Sequence, residues 1–181
     1  MPHFFVFLMK RFLPFILMSC SVLLTSCLDS YSDFIPRITI SHFVRLTPSE
    51  TDSVFTKDTL GVHYNSDGEY YYLDSVNVGD SILVSVMYQS FANFLVTSFV
   101  DWDSTKVSIT GHLANGFDEA LLPSSDIETL HFEYKTGYNG AFIPLSIIPL
   151  RSSDIQLTFS VSSDAKKVSN TTTERIYMYV R

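Results

Sequence analysis

The sequence predicts an all-β protein, an antiparallel β-sandwich of about 8–9 strands, and three observations carry that prediction. From residue 37 onward, apolar residues recur at every second position rather than at the spacing of a helix face. Turn residues punctuate these runs at short intervals. No stretch shows an amphipathic helical pattern of useful length. The segment 116–128, GFDEALLPSSDIE, has room for one helical turn before Pro123 ends it.

Taken in order, RITISHFVRL sets Ile38, Ile40, Val44 and Leu46 on one strand face and Thr39, Ser41 and Arg45 on the other. NSDG, at 65–68, separates GVHY from EYYYL and reads as a hairpin turn. EYYYL places Tyr70 and Tyr72 on one face and Tyr71 on the other. VGD leads into DSILVSVMY, which alternates Ile82, Val84, Val86 and Tyr88 with polar neighbours. FLVTSFVD aligns Val96, Ser98, Val100 and Trp102, and TLHFEYK aligns Leu130, Phe132 and Tyr134. RSSD opens DIQLTFSVS, with Ile155, Leu157, Phe159 and Val161 to one side, and RIYMYVR completes the series. Such alternation lets a strand bury one face while the other meets water. The run FIPLSIIPLRSSDIQLTFSVSSDA resembles the corner between late strands of immunoglobulin-like domains. The resemblance covers residues 76–181 and lacks the cysteine pair of antibody domains. It therefore implies the architecture alone, an immunoglobulin-like sandwich over residues 37–181.

The first 27 residues have a different character. Lys10 and Arg11 precede a thirteen-residue apolar run, 12–24, followed by small residues, the layout of a secretory signal peptide. The run is too short to span a bilayer as a helix, and joining it to the apolar residues before Lys10 would bury two charges. Leu24-Thr25-Ser26-Cys27 resembles the lipobox of bacterial lipoproteins. That resemblance implies cleavage after residue 26 and a diacylglycerol on the Cys27 sulfur, with further acylation, palmitate included, of the new amino end. A thiol suits such a transfer because it is the side chain most nucleophilic near neutral pH. Cys20 lies inside the discarded run and no cysteine follows Cys27, so the body has no disulfide partner. The expected organisation is a signal peptide over 1–26, a tether over 27–36 and the sandwich over 37–181. Starting at Met9 would give a more compact signal, MKRFLPFILMSCSVLLTSC, and Met9 is the expected start.

Beyond residue 26 the chain keeps ten basic residues against nineteen acidic ones. That deficit excludes a nucleic-acid partner and docking on anionic head groups. Attachment to a membrane then falls to the acyl chains, of which two or three bind far more durably than one.

Chemistry is harder to read. The sequence holds no G-x-S-x-G, H-E-x-x-H, phosphate-binding glycine loop or C-x-x-C, so no catalytic residue, metal site or cofactor is assigned. His42, His63, His112 and His131 are scattered one per strand or strand end. DWDST, at 101–105, lacks the oxygen ligands and glycine of a calcium loop. Tyr70, Tyr71 and Tyr72 are the candidate binding surface, since alternation sends at least one ring toward solvent; tyrosines also simply favour strands. Asp, then Ser or Thr, then an apolar residue or Thr recurs at Asp52-Ser53-Val54, Asp58-Thr59-Leu60, Asp74-Ser75-Val76, Asp80-Ser81-Ile82 and Asp103-Ser104-Thr105. This resembles the O-glycosylation acceptor of exported Bacteroidota proteins, which makes Ser53, Thr59, Ser75, Ser81 and Ser104 candidate acceptors. Asp in a turn leading into a strand accounts for the same pattern.

Lipobox, acidic body and these tripeptides together resemble a Bacteroidota envelope lipoprotein, lipid-anchored at the outer membrane. Asp29 and Asp33 loosely resemble that group's surface-export signal. Two functions follow: a non-catalytic binding or adhesion module for a glycan or protein ligand, or a surface glycan hydrolase with loop-borne carboxylates. Two carboxylates about 5–10 Å apart in a cleft would mark the hydrolase, and a flat face with exposed tyrosines would mark the binding module.

Overall fold

The computed structural model describes residues 34–48, 55–64, 70–113, 116–166 and 169–181. They belong to a compact unit that begins at Ser32. Eleven strands occur among them: β1 (Arg37–Pro48), β2 (Phe55–Thr59), β3 (Val62–Tyr64), β4 (Tyr71–Val76), β5 (Ser81–Gln89) and β6 (Leu95–Asp101). After these come β7 (Val107–Gly111), β8 (His131–Glu133), β9 (Gly140–Pro149), β10 (Ser153–Ser163) and β11 (Thr171–Val180). One turn of 3-10 helix, Phe117–Ala120, precedes Pro123, at the place the sequence allowed for it. The all-β prediction holds; the short β2, β3 and β8 take the strand number above the expected eight or nine.

The strands form two sheets, ordered β2-β1-β5-β9-β7 and β3-β4-β11-β10-β6-β8. Their inner faces share one apolar core, to which Ile38, Ile40, Val84, Val86, Ile143 and Leu145 come from the first sheet. Leu73, Val100, Leu157, Phe159, Ile176 and Met178 come from the second. This is a sandwich closed by alternation. Along β5 every even-numbered residue from Ile82 to Tyr88 is buried, and β9 does the same with Ala141, Ile143, Leu145, Ile147 and Pro149. Among the described residues all pairings are antiparallel except one, since β4 runs parallel to β11 with Tyr71 beside Ile176 and Leu73 beside Met178.

Of three register shifts among the described strands, in β1, β4 and β6, those in β1 and β6 correct the expected alternation. In β1 the pairing with β5 passes from Ser41 opposite Ser85 to Val44 opposite Leu83, so one extra residue is accommodated there. His42 takes the left-handed conformation at φ 58° and Phe43 turns into the core. Beyond the bulge the faces exchange. Val44 and Leu46, expected inside with Ile38 and Ile40, pair with the outer-face residues Leu83 and Ser81. Arg45 now lies opposite the buried Ile82, on the inner side. There its guanidinium meets Asp80, with Nη1 3.6 Å from Oδ2. Asp80 also accepts the Asn77 backbone N–H at 2.8 Å, holding the β4–β5 turn.

The second bulge lies in β6. Ser162 pairs with Thr97, but Ser163 pairs with Leu95, and Val96 is left exposed. Val96 therefore does not share the inward face of Ser98 and Val100. Ser98, fully buried, is bonded to the Tyr134 hydroxyl at 2.7 Å, which satisfies both polar groups in the core. Burial pushes the Tyr134 phenol up to about 12.

Candidate functional site

The outer face of the second sheet gathers the tyrosines. In β4, Tyr71 and Leu73 are buried, so Tyr70, just before the strand, and Tyr72 face outward. In β11, Ile176, Met178 and Val180 are buried, and Arg175, Tyr177 and Tyr179 face outward. The parallel register sets Tyr177 beside Tyr72. The Tyr70 and Tyr177 rings are 4.4 Å apart between centroids and tilted by 58°. Tyr72 and Tyr179 are 40% and 54% exposed, so the strip of rings is open to solvent. Polar side chains border it on β10, where Asp154 lies opposite Tyr179, Gln156 opposite Tyr177 and Thr158 opposite Arg175. Gln156 Nε2 donates to Thr158 Oγ1 at 3.1 Å. The same face continues through Asp101 and the exposed Phe99 on β6, with the His131 ring edge-on to Phe99 at 6.4 Å.

Tyr71 does not belong to this strip. It is only 8% exposed and stacks between Phe43, at 5.9 Å, and Tyr64, at 4.4 Å. Alternation makes the exchange compulsory: once Leu73 enters the core, Tyr71 enters with it and Tyr72 cannot. Tyr177 and Tyr179 escaped the sequence reading, although the signal was present in RIYMYVR. Three apolar residues alternate there with two aromatic ones, so the tyrosines had to face out.

The other candidate positions are dispersed. Cys27 and Ser53 lie outside the described residues, as does the side chain of Ser75. Thr59 is exposed on β2, and Ser81 opens β5 half-buried. Ser104 is exposed in the β6–β7 turn. In that turn the Asp103 carboxylate accepts the Thr105 backbone N–H at 3.0 Å and its hydroxyl at 2.6 Å, which holds the Asp103 carboxyl below the usual range. Arg151 donates to the same Thr105 hydroxyl at 2.7 Å. Turn chemistry thus occupies the first and last residues of that motif and leaves the Ser104 side chain outward.

Two clefts flank the long β7–β8 connection. One, of about 610 Å³, is lined by Leu113, Leu121, Leu122, Phe132, Asp118 and Lys135. The other, of about 440 Å³, is lined by Met87, Tyr88, Phe117, Tyr138 and Phe142. The first brings one carboxylate, Asp118, and the second none, whereas glycoside hydrolysis by the usual route needs two facing the same bond. Among the described residues no three His, Cys, Asp or Glu side chains converge as metal ligands would. None of the described helices is long and apolar enough to cross a membrane.

No protein-family model and no curated protein matches this chain. A solved structure similar to part of it is a family 123 glycoside hydrolase from Clostridium perfringens, described in a study of glycolipid glycan hydrolysis. The match is at 15% identity and a TM-score of 0.29, over 59% of this chain. The chain spans 22% of that enzyme's length, and a likeness of this size carries no argument about fold or activity.

Proposed function

We propose that this protein is a lipid-anchored, non-catalytic binding module of a bacterial cell envelope, whose tyrosine-lined sheet face takes a glycan. The observation that supports the reading is the strip Tyr70, Tyr72, Tyr177 and Tyr179 on one open sheet face, bordered by Asp154, Gln156 and Thr158. A sugar ring has an apolar face of C–H groups and a rim of hydroxyls. Phenol rings offer flat apolar contact at low entropic cost, with a polar tip in water. Amide, hydroxyl and carboxylate groups beside them supply bonds for the sugar rim. An extended chain fits a sheet face better than a single sugar does, because the strip runs along a strand.

Anchoring through Cys27 is part of the same proposal, and so is an outer-membrane location in a Bacteroidota-type host. The lipobox-like Leu24-Thr25-Ser26-Cys27 and the acidic body support it. O-glycosylation is proposed for Ser104, which is exposed in a turn held by the bonds between Asp103 and Thr105.

A glycan-array screen of the purified protein tests the binding function, followed by titration of Tyr72→Ala and Tyr179→Ala variants. Each exposed tyrosine is expected to contribute about 1–2 kcal/mol, roughly a tenfold loss of affinity when removed. Glycan recovered with its chain length unchanged is expected after long incubation. Absence of glycan binding, with a protein ligand captured through the same tyrosines, would replace the substrate class; shortened glycan would replace the function.

A further inference from the structure

The end of the sandwich where β1 starts carries a second exposed apolar group, built from three separate stretches of chain. Phe34 and Ile35 precede β1, Phe91 and Phe94 lie in the β5–β6 turn, and Tyr138 lies in the β8–β9 turn; all five are exposed. The Phe34 and Phe91 rings are 5.4 Å apart. Asn93 Nδ2 donates to the Phe34 carbonyl at 3.3 Å, and Asn139 Nδ2 donates to the Phe91 carbonyl at 2.8 Å. The Leu95 N–H donates to the Tyr138 carbonyl at 2.7 Å, and the Phe94 N–H to the Asp164 carboxylate at 2.7 Å. Ser90 is buried and donates to the Asn93 carbonyl at 2.6 Å. Several backbone groups around these rings are therefore bonded within the fold, while the rings themselves are exposed.

From this geometry we infer that the rim formed by Phe34, Ile35, Phe91 and Phe94 rests on the bilayer surface as a second, weak membrane contact. The inference builds on the Cys27 anchor proposed above. Six residues separate Cys27 from Phe34, so an anchored sulfur lies within about 25 Å of the rim even at full extension. A tether this short holds the rim at a high effective concentration beside the lipid, so a contact too weak to act alone becomes populated. The rings are apolar, and the Asp164 carboxylate that reaches this rim is held on the Phe94 N–H. The turns 90–95 and 136–140, SFANFL and TGYNG, contain no charged residue. Several of their backbone groups are bonded within the fold, which lowers the cost of an approach to hydrocarbon. An acidic body gains nothing from anionic head groups, so ring burial is the attraction left to it. Held this way, the long axis of the strands stands away from the membrane and the tyrosine strip faces sideways, open to a ligand.

The test uses mature protein purified from membranes and incorporated in neutral phosphatidylcholine vesicles, with and without brominated acyl chains. In a Trp102→Phe background, Phe91→Trp and Phe94→Trp report on the rim. Val78→Trp, in the exposed turn at the opposite end, is the control. Brominated lipid is expected to lower the emission of the two rim variants by about twofold or more and to leave the control nearly unchanged. Vesicle flotation of wild type and Cys27→Ala reads the anchor separately. Protein that floats by means of Cys27 but shows equal quenching at both ends overturns the rim contact alone. Protein whose flotation ignores Cys27, or that does not float, overturns the anchor and this inference with it. Emission that changes with protein density rather than with bromination would put a second copy on the rim and overturn it too.

Discussion

Tyr72 and Leu73 are adjacent in β4 and face opposite worlds: the first is open to solvent, the second has no exposed surface. Leu73→Ala is expected to cost about 2–5 kcal/mol by urea unfolding, since the cavity it leaves is walled by both sheets. Tyr72→Ala should change stability by less than about 1 kcal/mol while weakening ligand binding. A stability loss as large as that of Leu73→Ala would place Tyr72 in the core. Glu174 offers a second case. It lies opposite the buried Phe159, on the inward side of β11 near the end of the sheet. Burial raises its carboxyl above the ordinary range, and the Arg37 charge opposes that rise. The folded chain then holds a proton that the unfolded chain has already released, so stability falls as pH climbs from the normal glutamate range through the raised value. Glu174→Gln is accordingly expected to raise the melting temperature at about pH 7.5 and to lose that advantage near pH 4. An advantage independent of pH would remove the titration argument.

At the scale of an element, the β1 bulge decides which of its residues face the core. His42 has an exposed side chain and a positive φ, and its Nδ1 is 2.9 Å from the Ser41 hydroxyl. His42→Gly is expected to leave stability unchanged within about 1 kcal/mol, or to raise it, because glycine takes this conformation without steric cost. His42→Val should cost about 1–3 kcal/mol, since a branched Cβ resists positive φ. Equal melting temperatures for the two variants would show that the bulge had relaxed to a regular pairing. β11 tests the sheet differently, being bonded to β10 on one side and β4 on the other. Met178→Pro should therefore destabilise by about 3 kcal/mol or more, because proline removes a donor in the middle of a sheet.

For the whole molecule, stability rests on one shared core with no covalent staple, since no cysteine follows Cys27. Both sheets are joined by strands distant in sequence, most of all β4 and β11, about a hundred residues apart. Loop closure must precede such contacts, so refolding is expected in the range of about milliseconds to seconds, at a rate indifferent to reductant. Stopped-flow fluorescence of Trp102 measures it, because that side chain packs half-buried against the core. Microsecond refolding, or a reductant-sensitive phase, would contradict a core assembled from distant strands.

The sequence alone determined the sandwich, the facing of β5, β8 and β10, and the single helical turn before Pro123. These depend on local causes: alternation, turn residues and a proline act within a few positions of themselves. Only the tertiary structure decided that Val44 and Leu46 face outward while Arg45 turns in, and that Val96 is exposed. A bulge is defined by a partner strand, and one inserted residue reverses every face after it without altering the apolar pattern. The binding strip divides the same way. That Tyr70 and Tyr72 would share a face was legible in EYYYL, but their union with Tyr177 and Tyr179 required β4 to lie parallel to β11. Neither strand carries any record of the other in its own residues.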